Sequence, residues 1–397
     1  MTSTDPLIII GAGLAGWTTA REFRKLDSTT PVLLITADSG HFYAKPSLSN
    51  AFAQKRTPEQ LVSTPAAKMV ETQNVTLLAN TRALAIHPAT RSITTSKGEF
   101  RYSQLVLATG AQPIRVPVAG DAADAVQSVN SLDDFARFHT QLTGEPQRQK
   151  HVLIMGAGLI GCEFANDLVA SGYAVTVADP SSGPIAALLP VEASTQLREA
   201  LADLGVRWHF GATVKAVNTV ASGSSSAGHL RVELSNGQLA FVDAVLSAIG
   251  LRADTSLAQA AGLNCERGVV VDAALQTSAE HIYALGDSAQ YTSAGGRTLP
   301  YVMPIMNAAK ALAATLAGTR TEVAFPLMPV AIKTPALPIV VAAPAPGTPG
   351  EWRSVEPGEP GESGVWQFID AQGQQRGFVL TGKQTTRRAE QAKLVAA

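Results

Sequence analysis

Cysteine is nearly absent. The 397-residue chain has two, Cys162 and Cys265, and no CxxC or CxxxxC spacing. That excludes a dithiol–disulfide enzyme and a cysteine-ligated iron–sulfur protein. Charge is also sparse and balanced: charged residues make up 16% and the net charge is −1. No basic or acidic excess points to nucleic acid or to a membrane surface. No apolar run reaches the ~18 residues of a spanning helix. Met1–Pro6 leads at once into an apolar run, which leaves no room for a signal peptide, so cytoplasmic residence is expected. What remains, at 46% hydrophobic content, is a well-cored globular chain long enough for two or three domains.

The most informative feature present is a duplication. Gly11-Ala12-Gly13-Leu14-Ala15-Gly16 recurs about 145 residues on as Gly156-Ala157-Gly158-Leu159-Ile160-Gly161. Each run follows a short apolar segment, Leu7–Ile10 and Val152–Met155, and opens an amphipathic one. One such motif could be a packing turn in an ordinary βα unit. Two, each between strand and helix, predict two dinucleotide sites, with pyrophosphate at a helix N-terminus. Two dinucleotides in one chain suggest hydride passing between a flavin and a nicotinamide.

The ends of the second strands separate the two sites. In the second unit Asp179 stands about 20 residues after the glycines, where an acid bonds the ribose. No Arg follows closely, so NADH is expected over NADPH. In the first unit the equivalent position is Thr36, and either Asp38 or the backbone at Ala37 is left to hold the ribose. The residues expected to bind nicotinamide dinucleotide are Gly156, Gly158, Leu159, Ile160, Gly161, Asp179 and Gly250.

Elsewhere the pattern predicts strands at Arg82–Ile86, Ser92–Thr95, Tyr102–Thr109, Ala174–Ala178, Val242–Gly250 and Ile282–Leu285, and a helix at Ala308–Leu316. The Ser/Gly-rich run 221–228 is expected to be a hairpin tip. After Gly318 short β-type runs alternate with Pro- and Gly-rich loops. The expected fold is α/β: two Rossmann-like nucleotide-binding domains, the second inserted in the first, plus a small α+β C-terminal domain. The boundaries are 1–115 with 245–320, then 116–244, then 321–397.

Gly11–Gly16, Ala108-Thr109-Gly110, Gly156–Gly161 and Ala284-Leu285-Gly286-Asp287, in that order, resemble the flavoprotein reductases related to glutathione reductase. A closer resemblance is to the rubredoxin–NAD reductases of alkane-oxidising bacteria. It rests on Ile35-Thr36-Ala37-Asp38, Lys45-Pro46-Ser47-Leu48-Ser49, Gly161–Leu168, Tyr301-Val302-Met303-Pro304 and Lys333-Thr334-Pro335. The resemblance implies non-covalent FAD, NADH as donor and rubredoxin as acceptor, feeding an alkane hydroxylase or another rubredoxin-dependent chain. It gives FAD the residues Gly11, Ala12, Gly13, Leu14, Ala15, Gly16, Ala37, Asp38, Lys45, Arg82, Thr109, Gly110, Glu163, Gly286, Asp287, Val302 and Lys333. It implies that Asp287 holds the ribityl chain and pyrophosphate, that Arg82 lies by the adenine through its backbone, and that the Val302 N–H bonds a flavin carbonyl. It implies a Lys45–Glu163 pair beside the flavin and a Lys333 cation at the same ring, the three residues expected at the chemistry. A ferredoxin or flavodiiron partner, an NADH oxidase and an NADH-sensing flavoprotein stay open as alternatives, as does a monomer or a homodimer.

Overall fold

The structure, a computed structural model, describes residues 5–143, 148–220, 229–356 and 363–396. The expected hairpin tip at 221–228 lies outside the described residues. The chain divides into two compact units, each discontinuous in sequence. One is built from residues 1–45, 62–112 and 251–328, the other from 46–61, 113–250 and 329–397.

The first unit centres on a five-stranded parallel sheet. Leu7–Ile10 lies in the middle, flanked by Val32–Ile35 and Gln104–Leu107, with Thr76–Leu78 and Ile282–Ala284 at the edges. Leu7, Ile8 and Ile9 are wholly buried, as a strand covered on both faces requires. That is why four apolar residues run without alternation. The helix Leu14–Arg24 packs beside the helix Val302–Leu316, where Thr18 meets Met306. A three-stranded antiparallel sheet, Ala83–His87, Ser92–Thr95 and Gly98–Arg101, also belongs to this unit.

The second unit repeats the plan. Its parallel sheet runs in the order Val126–Gln127, Ala244–Ser247, His151–Met155, Ala174–Asp179, Arg207–Phe210. The helix Leu159–Ala170 follows the central strand. Val214–Thr219, Leu230–Leu234 and Leu239–Val242 form an antiparallel sheet. The predicted strand Val242–Gly250 is therefore two strands in two sheets. The break falls at Asp243, whose carboxylate accepts from Arg148 and from the His151 N–H. The C-terminal part is a five-stranded antiparallel sheet in the order Val330–Ile332, Ile339–Ala342, Gln375–Thr381, Val365–Asp370, Gly350–Glu356, followed by the helix Arg388–Leu394. The fold is the expected one: two Rossmann-like units, the second inserted into the first, and a small α+β C-terminal part.

Candidate functional site

The two glycine loops share one geometry. Gly11 has φ +107°, and a Cβ there would lie 2.2 Å from the Ala108 carbonyl oxygen; at Gly16 it would lie 1.8 Å from the Gly11 oxygen. Gly156 has φ +101° and a Cβ would meet the Ala248 oxygen at 2.7 Å; at Gly161 it would meet the Gly156 oxygen at 2.0 Å. In each loop the outer glycines are thus imposed by the protein's own packing. The middle ones are not. Gly13 and Gly158 have φ of −79° and −73°, open to any residue, and nothing lies within 4 Å of a Cβ built there. The space over the middle glycine is where a pyrophosphate approaches the backbone. Both helices that follow lack a side-chain cap and an acid in the first turn, so their free N–H groups and dipole face that space uncompensated. The residues present fit two dinucleotides, one at each loop.

At the second loop the Asp179 carboxylate reaches back over the glycines. It accepts from the Ala157 N–H at 2.6 Å, from the Ser181 N–H at 2.7 Å and from the Ser181 hydroxyl. Ile160 is exposed and Leu159 half-buried at the helix start, while Gly250, with φ +110°, accepts from the Ile114 N–H. At the first loop Thr36 Oγ1 donates to Asp38 Oδ1 at 2.7 Å and the Gly40 N–H adds a second bond at 2.9 Å. One Asp38 oxygen thus closes a turn. Among the described residues its other oxygen has no donor, and Ala37 is exposed.

The other residues that the resemblance gives to FAD in the first unit are placed as follows. Ala12 and Ala15 are buried and Leu14 partly so, all beneath the loop. Thr109 Oγ1 donates to the Asp254 carbonyl, and Gly110 has φ +73°. Gly286, at φ +79°, presses on the Ala15 methyl, where a Cβ would sit 3.0 Å away, and its N–H donates to the Tyr291 hydroxyl. Burial pushes the Asp287 carboxyl up, offset in part by the Lys45 charge. Among the described residues the Asp287 carboxylate has no hydrogen-bond donor, which suits a ligand that brings hydroxyls. Val302 is exposed at the start of a helix with neither side-chain cap nor acid in its first turn. The Arg82 side chain is exposed, and its backbone N–H and carbonyl both pair with Ser96. Only the carbonyl's second lone pair is left for the backbone role that the resemblance implies.

Glu163, in the second unit, is buried on the first turns of its helix. Oε1 accepts the Lys333 backbone N–H at 2.9 Å; Oε2 accepts the Ser49 hydroxyl at 2.6 Å and the Lys333 ammonium. Lys333 Nζ also lies 3.3 Å from Ser49 Oγ. A charge buried this deeply needs such partners. Within this unit Glu163 forms an ion pair with Lys333, and within the other unit the Lys45 charge acts on Asp287. Ser49, Asn166 and Asp167 were missed as site residues by sequence reasoning. The available signal was Glu163, Asn166 and Asp167 at i, i+3 and i+4, polar residues on one face of an otherwise apolar helix. Cys162 is fully buried, and burial pushes its thiol far up; it donates to the Ala157 carbonyl. A thiol held protonated in this way is inert.

The sequence matches the family described as pyridine nucleotide-disulphide oxidoreductase over residues 5–314, and the rubredoxin binding C-terminal domain over residues 322–395. It is 44% identical to the rubredoxin-NAD(+) reductase of Alcanivorax borkumensis over 378 residues, which cover 95% of both chains. It is 42% identical to the rubredoxin-NAD(+) reductase of Acinetobacter baylyi over 382 residues, 95% of this chain and 94% of that one. Among solved structures, the ferredoxin reductase from Rhodopseudomonas palustris superposes with a TM-score of 0.83 at 26% identity, covering 95% of this chain and 91% of that one.

Proposed function

The chain belongs to the pyridine nucleotide-disulphide oxidoreductase family, and from that premise we propose that it passes hydride from NADH to bound FAD and electrons singly to rubredoxin. It is an oxidoreductase whose cofactors are FAD and NADH. The observation that carries the reading is the pair of middle glycines, Gly13 and Gly158, which the protein's own packing does not require and a pyrophosphate does. FAD, when bound, supplies a group that accepts a hydride and releases electrons one at a time.

The chain's residues bind and orient. Gly11, Gly13, Gly16, Thr109, Gly110, Gly286 and Asp287 hold FAD. The helix starting at Val302 offers its N-terminal N–H groups and dipole to the electron-rich end of the flavin. Gly156, Gly158, Gly161 and Asp179 hold NADH. Lys45 in one unit, and the Glu163–Lys333 pair in the other, supply charges that serve the hydride exchange. The state of the thiols supports an acceptor outside the chain: Cys162 is locked in the core, Cys265 is half-buried with its thiol pushed up by burial, and the two form no disulfide. Residues 322–395 receive rubredoxin in this reading, and the route onward serves an alkane hydroxylase or another rubredoxin-dependent oxidation. Among the described residues no helix is long and apolar enough to cross a membrane. Cytoplasmic residence and a monomeric or homodimeric state are part of the proposal, to be read by cell fractionation and light scattering.

The test is steady-state turnover of the FAD-loaded protein with NADH and, in parallel, purified rubredoxin, a ferredoxin and oxygen. Rubredoxin should be reduced fastest. Preference for ferredoxin or oxygen would replace the proposed acceptor and leave the flavin chemistry standing.

A further inference from the structure

We propose that Asn166 and Asp167 are positioning residues, which fix the Pro46–Ala53 segment and the Lys333–Ala336 turn on one helix face and so bring Ser49 and Lys333 to Glu163. The proposal rests on the reading that Glu163 and Lys333 serve hydride exchange.

Residues 161–168 of the helix Leu159–Ala170 are all buried. Its three polar side chains in that stretch therefore have to find partners inside the protein. All three spend their acceptors on the two segments that carry the reactive side chains. Asp167 accepts the Phe52 N–H on Oδ2 and the Ala53 N–H on Oδ1, both at 2.9 Å. Asn166 Oδ1 accepts the Ala336 N–H at 3.0 Å. Glu163 takes the Lys333 N–H at one end of that turn and the Ser49 hydroxyl near the start of the other segment.

The chain has a simpler way to seat Phe52. Its ring already lies 5.4 Å from that of Phe135, 5.8 Å from Phe138 and 5.7 Å from Tyr173, and it stacks on His139. Such packing holds a segment without fixing its register. Burying a carboxylate opposes folding: burial pushes the Asp167 carboxyl up, and the Ala53 and Phe52 N–H groups and the Lys333 charge only partly offset this. A costly, directional bracket three to four residues along from Ser49 sets which hydroxyl faces Glu163. An apolar residue at 167 would hold the same helix in the core without setting it.

The test is a double-mutant cycle of Asp167→Asn with Ser49→Ala. The asparagine keeps the shape but turns an amide N–H onto one of the two backbone N–H groups. The readouts are the flavin bleaching rate by NADH in single-turnover stopped flow, the NADH dissociation constant from its saturation, and hydrogen exchange of peptides spanning 46–57. Asp167→Asn should slow bleaching about tenfold, since small misplacements near reacting groups have effects of that order or larger. The NADH constant should not change, and exchange should rise in 46–57 while the strand Val365–Asp370 stays protected. On the Ser49→Ala background the same substitution should cost less than about twofold, because the two act through one contact. A wild-type bleaching rate in Asp167→Asn overturns the proposal, and so does an undiminished effect on the Ser49→Ala background. If Asp167→Asn does not fold, Asn166→Ala goes through the same cycle against Lys333→Ala, with the same two overturning results. Failure of the functional reading is seen separately, before any variant, as a wild-type protein whose flavin NADH does not bleach.

Discussion

Adding a single methyl group to the second glycine loop should give opposite results at two neighbouring positions. At Gly161 a Cβ would lie 2.0 Å from the Gly156 carbonyl oxygen. Ordinary contact is about 3.4 Å or more, so the start of the glycine loop and the helix must separate by over 1 Å; overpacking of this kind costs about 1–3 kcal/mol. At Gly158 the backbone is already at φ −73° and nothing lies within 4 Å. Alanine there loses some N-cap preference but narrows the unfolded ensemble, and the two nearly cancel, within about 1 kcal/mol of zero. The new methyl does, however, stand where the pyrophosphate approaches. Loss of one charge-assisted N–H bond to phosphate is worth about 1.5–3 kcal/mol, roughly 10- to 150-fold in affinity. Urea unfolding of the FAD-loaded variants should therefore show Gly161→Ala destabilised and Gly158→Ala near wild type. Calorimetric titration with NAD+ should show Gly158→Ala binding at least about tenfold more weakly. Wild-type NAD+ affinity in Gly158→Ala would refute the reasoning, as would equal stability of the two variants.

NADH should reduce the flavin about 30- to 1,000-fold faster than NADPH, because the Asp179 carboxylate repels a 2′-phosphate and loses a hydroxyl partner, together about 2–4 kcal/mol; equal stopped-flow rates would contradict this. Replacing both Cys162 and Cys265 by Ala should leave rubredoxin reduction nearly unchanged in the folded, FAD-loaded protein, and a large loss of turnover would bring back a thiol mechanism. The Thr30 hydroxyl, then the Thr30 and Thr29 N–H groups, hold the Asp27 carboxyl far below the usual carboxylate range. As pH falls the unfolded chain takes up that proton first, so the stabilisation is present above about pH 4 and is lost below it. Asp27→Asn should flatten this acid limb in unfolding curves taken between neutral and strongly acidic pH, and an unchanged limb would remove Asp27 as its source.

The nucleotide loops were legible because each is local: strand, glycines and helix lie within one short stretch, and the apolar runs Leu7–Ile10 and Val152–Met155 have the unbroken pattern of covered parallel strands. Local reading failed where the chain changes partner. Val242–Gly250 looks like one apolar strand, yet Asp243 splits it between an antiparallel and a parallel sheet. The helix expected at Ala308–Leu316 begins at Val302. Pro304 does not interrupt it, because it stands in the first turn, where the missing N–H costs nothing. The edge strand Gly350–Glu356 carries too many charges to show an alternating pattern. Glu163 and Lys333 are 170 residues apart, and nothing in either neighbourhood announces the other. The glycine motifs could be read from spacing, but the bracket of Asn166 and Asp167 needed the fold.

The central claim is that two dinucleotide cradles in one chain pass a hydride and then release single electrons. The most direct measurement is anaerobic double-mixing stopped flow: the FAD-loaded protein is first mixed with NADH and then with oxidised rubredoxin. The account predicts flavin bleaching that saturates with NADH, followed by reoxidation that consumes about two equivalents of rubredoxin per flavin. A flavin that NADH does not bleach, or one that bleaches and then stays reduced in the presence of rubredoxin, would contradict it.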